Sequence, residues 1–150
     1  MSRAGETAGF TLVELLVVLL VIALALGAAI PFLARGPDGQ RLDAVAAELV
    51  GALRKVRADA IRSNGEALFI VAPEARTWRA GETAELENFP ANVVVRAVGA
   101  RSEMPTEHLI GIRFFADGTS TGGGITLEEG DAPGVRVAVD WLTGRVQIER

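Results

Sequence analysis

The chain is expected to adopt an α+β fold: a long N-terminal helix, its first half in a membrane, packed on a C-terminal body of antiparallel β-sheet. Three observations carry this reading. Residues 9–34 form an apolar run, GFTLVELLVVLLVIALALGAAIPFLA, in which Glu14 is the single charge. Apolar residues between Leu42 and Ile61 then recur at steps of three and four, the mark of an amphipathic helix. Beyond Gly65 the pattern changes to short β-branched and apolar segments separated by turn signals.

The apolar run comes first. From Leu15 to Ala34 no residue is charged, and Arg35 closes the run on its far side. Such a segment is long enough to cross a hydrocarbon core of roughly 30 Å. A cleaved secretory signal would instead show a basic leading region, a shorter apolar core and a small-x-small site after it. Here the leading residues MSRAGETAG hold one Arg and one Glu, and the sites near Ala28 and Pro31 are poor. A carboxylate within a membrane helix costs about 2.5–3.5 kcal/mol on insertion scales, so Glu14 needs a purpose and a partner. If the chain were cut after Gly9, the new amine at Phe10 would lie four residues away.

Gly36-Pro37-Asp38-Gly39 reads as a break after this run, with Asp38 as the N-cap of the next helix. That helix is placed at 40–64, with Leu42, Val45, Ala46, Leu49, Leu53, Val56, Ala60 and Ile61 on its apolar face and Asn64-Gly65 as its stop. Arg54, Lys55, Arg57 and Arg62 lie on the other face and read as a solvated surface. Strands are placed at 67–71, 93–98, 109–115, 125–127, 135–141 and 145–148, with a short one near Trp78. Residues 100–106 and most of 76–92 read as loop. Leu142-Thr143-Gly144 suits a hairpin connection, across which Asp140 and Arg145 are able to pair. Trp141 shares a strand face with Val135, Val137 and Val139, so a core or hairpin-packing place is expected for it. Asp117-Gly118 is a type I′ turn candidate, and Gly122, Gly123 and Gly124 permit close backbone approach.

The residues Gly9-Phe10-Thr11-Leu12-Val13-Glu14-Leu15-Leu16 strongly resemble the start of type IV pilins and type II secretion pseudopilins. In that family a membrane peptidase cuts after the Gly and methylates the new N-terminal Phe, and a Glu stands fifth in the mature chain. The resemblance therefore implies processing at Gly9 and Phe10, an assembly role for Glu14 and a helix bend at Pro31. The leader holds Glu6 beside Arg3, which departs from the basic flank expected on the cytoplasmic side. Two later stretches, Phe115 to Leu127 (FADGTSTGGGITL) and Val139 to Val146 (VDWLTGRV), resemble the GspH/FimT group of minor pseudopilins and minor pilins. Within them Asp117, Gly118, Gly122, Gly123, Trp141 and Gly144 are read as residues that maintain the fold. The resemblance implies a pilin-like fold in which two sheets pack on the C-terminal half of the helix.

Composition bounds the rest. Of 150 residues, roughly 110 remain for a body, enough for one core. A net charge of −4 argues against a general nucleic-acid binder, whose footprint is a basic face. The chain has no cysteine, which excludes disulfides, thiol chemistry and cysteine metal clusters. The lone His108 has no metal motif beside it, Gly122–Gly124 lacks the spacing and lysine of a phosphate loop, and Asp117, Glu128, Glu129 and Asp131 do not match an EF-hand. No catalytic residue, metal ligand or cofactor is assigned, and no enzyme is expected.

The resemblance implies a minor pseudopilin of a type II secretion system: leader 1–9, membrane helix 10–34 in the inner membrane and a periplasmic body over 35–150, with β-rich residues 66–150. Implied partners are other major and minor pseudopilins, the prepilin peptidase, the inner-membrane assembly platform and membrane lipid. The implied role is assembly at or near the pseudopilus tip to help export folded proteins. The alternative is a FimT-like minor pilin of a type IV pilus, binding DNA during uptake.

Overall fold

The computed structural model describes residues 12–33, 37–100 and 108–150, with side-chain surroundings for 12–25, 38–100 and 108–150. The expected loop at 100–106 lies outside the described residues except for Ala100. The chain divides into two compact units, residues 1–35 and 36–150.

The first unit contains α1 (Leu12–Leu33), a helix of 22 residues. Its described side chains, Leu12 to Ala25, are all exposed, from Leu12 at 79% to Val18 and Ile22 at 48%. Pro31 lies within α1, which continues helically to Leu33. Within α1 only Leu12 to Ala25 have described side-chain surroundings, and among the residues so described no helix is long and apolar enough to cross a membrane.

The second unit begins with α2 (Pro37–Ser63). The helix starts three residues before its expected bound. Pro37 suits a first turn, where its missing N–H would have no intrahelical partner. Asp38 is accordingly not the N-cap but a first-turn residue, where its charge complements the helix dipole. Leu42, Val45, Ala46, Leu49, Val50, Leu53, Val56 and Ala60 form the buried stripe, whereas Ile61, read into that stripe, is 44% exposed. At the C-terminus Gly65 N–H donates to Ala60 O (3.1 Å) and Asn64 N–H to Ile61 O (3.2 Å). This is the Schellman pattern, and Asn64 rather than Gly65 occupies the positive-φ position at 50°.

Eight strands follow: β1 (Ala67–Ala72), β2 (Thr77–Ala80), β3 (Glu87–Asn88), β4 (Val94–Gly99), β5 (Ile110–Phe114), β6 (Gly123–Glu128), β7 (Val135–Val139) and β8 (Val146–Glu149). They make two four-stranded antiparallel sheets, ordered β3-β2-β1-β5 and β4-β6-β7-β8. Both sheets pack on α2, so the fold read from the sequence, helix on antiparallel sheet, is the fold observed for the body. The core joins the α2 stripe to Phe69, Val71, Trp78, Ile112 and Phe114 of one sheet and Ile125, Leu127, Val137 and Val139 of the other. Phe69 and Trp78 stack with ring centroids 5.5 Å apart. Burying so many large apolar side chains, at about 1.5–3 kcal/mol each, is what holds helix to sheets.

Strand β3 was missed because Glu87 and Asn88 are exposed and neither favours a strand. It forms because Phe89 is buried beside it, and Phe89 N–H donates to Arg76 O at 2.9 Å. Strand β7 stops at Val139, two residues before its expected end, since Asp140 opens the turn to β8.

Candidate assembly surface

The sequence points to two places: the head of α1 and the loops around the C-terminal hairpin. Gly9 and Phe10 lie outside the described residues. Glu14 sits in the first turn of α1, among exposed Leu12, Val13, Leu15 and Leu16. A carboxylate here meets the positive end of the helix dipole. The surface around it is otherwise apolar, the composition that a helix–helix or helix–lipid contact requires.

The second place is a hydrogen-bonded junction. Phe115 N–H donates to Thr119 O (3.0 Å) and Gly118 N–H to Phe115 O (2.9 Å), with Gly118 at φ 83°. The turn therefore centres on Ala116 and Asp117, with Gly118 as a bulge residue. This corrects the type I′ expectation, which requires positive φ at Asp117, and Asp117 has none. The Asp117 carboxylate accepts from Thr119 N–H (2.9 Å) and Thr119 Oγ1 (2.6 Å). The β7–β8 turn repeats the device: Asp140 Oδ1 accepts from Thr143 N–H (2.8 Å) and Thr143 Oγ1 (2.7 Å). The threonine hydroxyl, then the threonine backbone N–H, holds each aspartate below the usual carboxylate range. For Asp140 the Leu142 N–H and the Arg145 charge add to this. The expected Asp140–Arg145 pair is thus replaced by an Asp140–Thr143 turn, with Arg145 acting only through its field.

Ser120 links the two turns, its N–H donating to Trp141 O (2.9 Å) and its hydroxyl to Asp140 O (3.1 Å). The same hydroxyl accepts from Gly122 N–H (3.0 Å), and Thr121 bonds back to Arg113. Residues 119–122 therefore carry the chain from the edge of one sheet into the other. Gly122 sits against Trp141, and Gly123 lies under the Val98 carbonyl, where a Cβ would come within 2.6 Å. Gly144, at φ 59°, is the tightest point, for a Cβ there would stand 2.1 Å from Gly118 O. Trp141 is 65% exposed, which corrects the expectation of a core or strand-face place. Its backbone serves the junction while its ring faces solvent, because the strand ends before it.

Sequence reasoning missed the residue that ties this junction to α2. Arg57 Nε donates to Gly118 O and an Arg57 terminal nitrogen to Thr143 O, each at 3.0 Å. Arg54 reaches Val146 O at 3.3 Å. The basic face of α2 is therefore partly a clamp on loop carbonyls rather than only a solvated surface. Its one sequence signal is that Arg57 follows buried Val56 on the border of the apolar stripe. His108 and Glu74 form an exposed pair at 2.8 Å. Among the described residues, no group of three or more His, Cys, Asp or Glu is placed to hold a metal ion. The acids once weighed for calcium are dispersed: Glu128 pairs with Arg96, and Glu129 with Arg41.

The body matches the family model described as type II transport protein GspH over residues 45–143. The chain belongs to the GspH family. A prokaryotic N-terminal methylation motif matches residues 7–30, a span that holds Gly9, Phe10 and Glu14. The GspH match takes in most of the α2 stripe, Arg57 and both aspartate turns. Among relatives, the type II secretion system protein H of Xanthomonas campestris pv. campestris is 40% identical over 141 residues, covering 93% of this chain and 81% of that protein. The minor pseudopilin EpsH from the type 2 secretion system of Vibrio cholerae shares the fold, with a TM-score of 0.57 at 12% identity over 73% of this chain and 96% of that one. The type IV minor pilin FimU of Pseudomonas aeruginosa does so at 0.55 and 18% identity, over 74% and 90%. The GspH body thus shares its architecture with subunits of both kinds of filament.

Proposed function

We propose that this GspH-family chain is a minor pseudopilin of a type II secretion system, cut after Gly9, methylated at Phe10 and anchored in the inner membrane by its N-terminal helix. Its body then lies in the periplasm and joins other pseudopilins at or near the pseudopilus tip, where the filament helps export folded proteins. The observation that carries this reading is the conjunction in one chain of a methylation motif at 7–30 and a GspH body at 45–143. The 40% identical Xanthomonas relative supports the secretion system over the pilus, since the fold itself is common to both.

On this reading the chemistry is assembly, not catalysis. Glu14 of an incoming subunit meets the Phe10 ammonium of a neighbour inside an apolar helical bundle. Such a pair adds little net stability, because desolvation offsets much of the attraction, but a mis-stacked subunit would bury an unpaired charge. The pair thereby sets register. The helix is eased around Pro31, the peptidase and the inner-membrane platform act on the N-terminal segment, and the body presents the docking face. The test is complementation of a deletion strain. The intact chain restores secretion, and Glu14→Val restores membrane insertion but not cross-linking into the filament. Restored pilus function or DNA uptake without restored secretion would instead favour the FimT-like minor pilin.

A further inference from the structure

The strongest unassigned feature is a depression between α2 and the C-terminal hairpin. Arg54, Arg57 and Arg145 line one end of it, a space of about 540 Å³ shared with Thr143, Gly144 and Val146. It continues into an apolar groove whose walls include Val50, Val146 and Ile148, with Arg54 and Arg145 common to both parts. Among the described residues, none of the three arginines enters an ion pair. Arg57 spends its donors on the Gly118 and Thr143 carbonyls, and Arg54 one of its donors on Val146, so neutral acceptors hold these two guanidiniums, while Arg145 makes no side-chain hydrogen bond among the described residues and meets the exposed Asp140 only through its field. This is a fixed cationic end on an apolar trough, in a chain of net charge −4.

We infer that this groove receives an acidic, partly apolar segment of a neighbouring protein subunit, its carboxylates on Arg54 and Arg145 and its apolar side chains along Val50 and Ile148. The inference deepens the assembly reading and rests on it for the partner being a filament subunit. Charge complementarity selects a carboxylate-bearing occupant, for which arginine forks are well shaped. A nucleic acid fits less well. No aromatic ring lines the groove to stack on a base. Arg57 is a positioning residue, while Arg54 and Arg145 are the contact residues. Arg145 makes no side-chain hydrogen bond among those of the described residues, so replacing it removes none of the hydrogen bonds of the junction.

Because the chain has no cysteine, a single fluorophore placed at Ala47→Cys, an exposed position on the wall of the groove, in the full-length protein in detergent reports on the groove. The probes are a short peptide of alternating Glu and Leu, its Gln/Leu counterpart and a single-stranded oligonucleotide of matched charge. The Glu/Leu peptide should bind in a salt-sensitive manner, and Arg54→Glu with Arg145→Glu should weaken it by about tenfold or more. Arg145→Glu alone, which removes no hydrogen bond of the fold, should account for a several-fold share. Equal binding of the Gln/Leu peptide, or no loss in either variant, would overturn the inference. So would tighter binding of the oligonucleotide that the same variants abolish. In cells, a photo-cross-linker at Ile148 should capture an acidic segment of another pseudopilin. Peptide binding without filament incorporation would keep the groove and refute the assembly reading. Incorporation with no charge dependence at Arg54 and Arg145 would do the reverse.

Discussion

Replacing Arg57 by alanine tests the junction at the point where α2 grips both loops. The substitution removes one part-buried hydrogen bond, to Gly118 O, and one exposed bond, to Thr143 O. A hydrogen bond with a charged donor contributes about 1.5–3 kcal/mol net, and the exposed one less than about 1 kcal/mol. Together they suggest a loss of about 2–3 kcal/mol. For a body of the size of residues 36–150, a loss of that size lowers the melting temperature by about 6–12 °C. The assay is thermal unfolding of the full-length protein in detergent, followed by near-UV circular dichroism, which reads Trp78 and Trp141. Arg57→Lys keeps the charge but not the fork, so about half of the loss should return. A melting temperature for Arg57→Ala within about 2 °C of the parent would refute the clamp.

Gly144→Ala should destabilise by more than about 3 kcal/mol, since it combines positive-φ strain with a Cβ 2.1 Å from Gly118 O; a soluble variant with unchanged melting would refute this contact. Trp78→Ala should cost about 3–5 kcal/mol while Trp141→Ala costs below about 1 kcal/mol, because the first is buried and the second 65% exposed; denaturant midpoints would show the reverse order if the two were misplaced. Asp117 and Asp140 have depressed folded pKa values, so their stabilising contribution is present above the unfolded value of about 3.9 and fades as pH falls through the folded value. Acid unfolding should therefore steepen below about pH 4, and Asp117→Asn with Asp140→Asn should flatten that limb; an unchanged limb would contradict the turn chemistry. Glu14→Val should leave membrane fractionation unchanged and reduce filament incorporation several-fold by cross-linking, and normal incorporation would remove the assembly role.

Much of the body was legible because burial writes a period into the chain. The α2 stripe from Leu42 to Ala60 and the alternation Val135, Val137, Val139 are direct imprints of a core on one side. What escaped were features that depend on long-range partners. Arg57 borders buried Val56, but so does Lys55, and only the return of Gly118 and Thr143 to the helix makes Arg57 a clamp. Trp141 continued an alternating pattern that the Asp140 turn ends, so periodicity overran the strand. Asp117-Gly118 has the composition of a type I′ turn, yet the link from Ser120 to the β7–β8 loop favours a longer turn in which Gly118 alone takes positive φ. Strand β3 is held by its pairing with β2 and by buried Phe89, not by its own residues. At the other place, the Gly9-Phe10 pair and Glu14 form a pattern written locally, and the methylation motif matched over residues 7–30 spans all three.

The account as a whole depends on a chain that begins at Phe10 and offers its amine to a neighbouring Glu14. The intact mass of the native protein recovered from the membrane and filament fraction tests this most directly. The account predicts a chain starting at Phe10 and bearing one methyl group. A protein that keeps Met1, or one cut beyond residue 27, would contradict it.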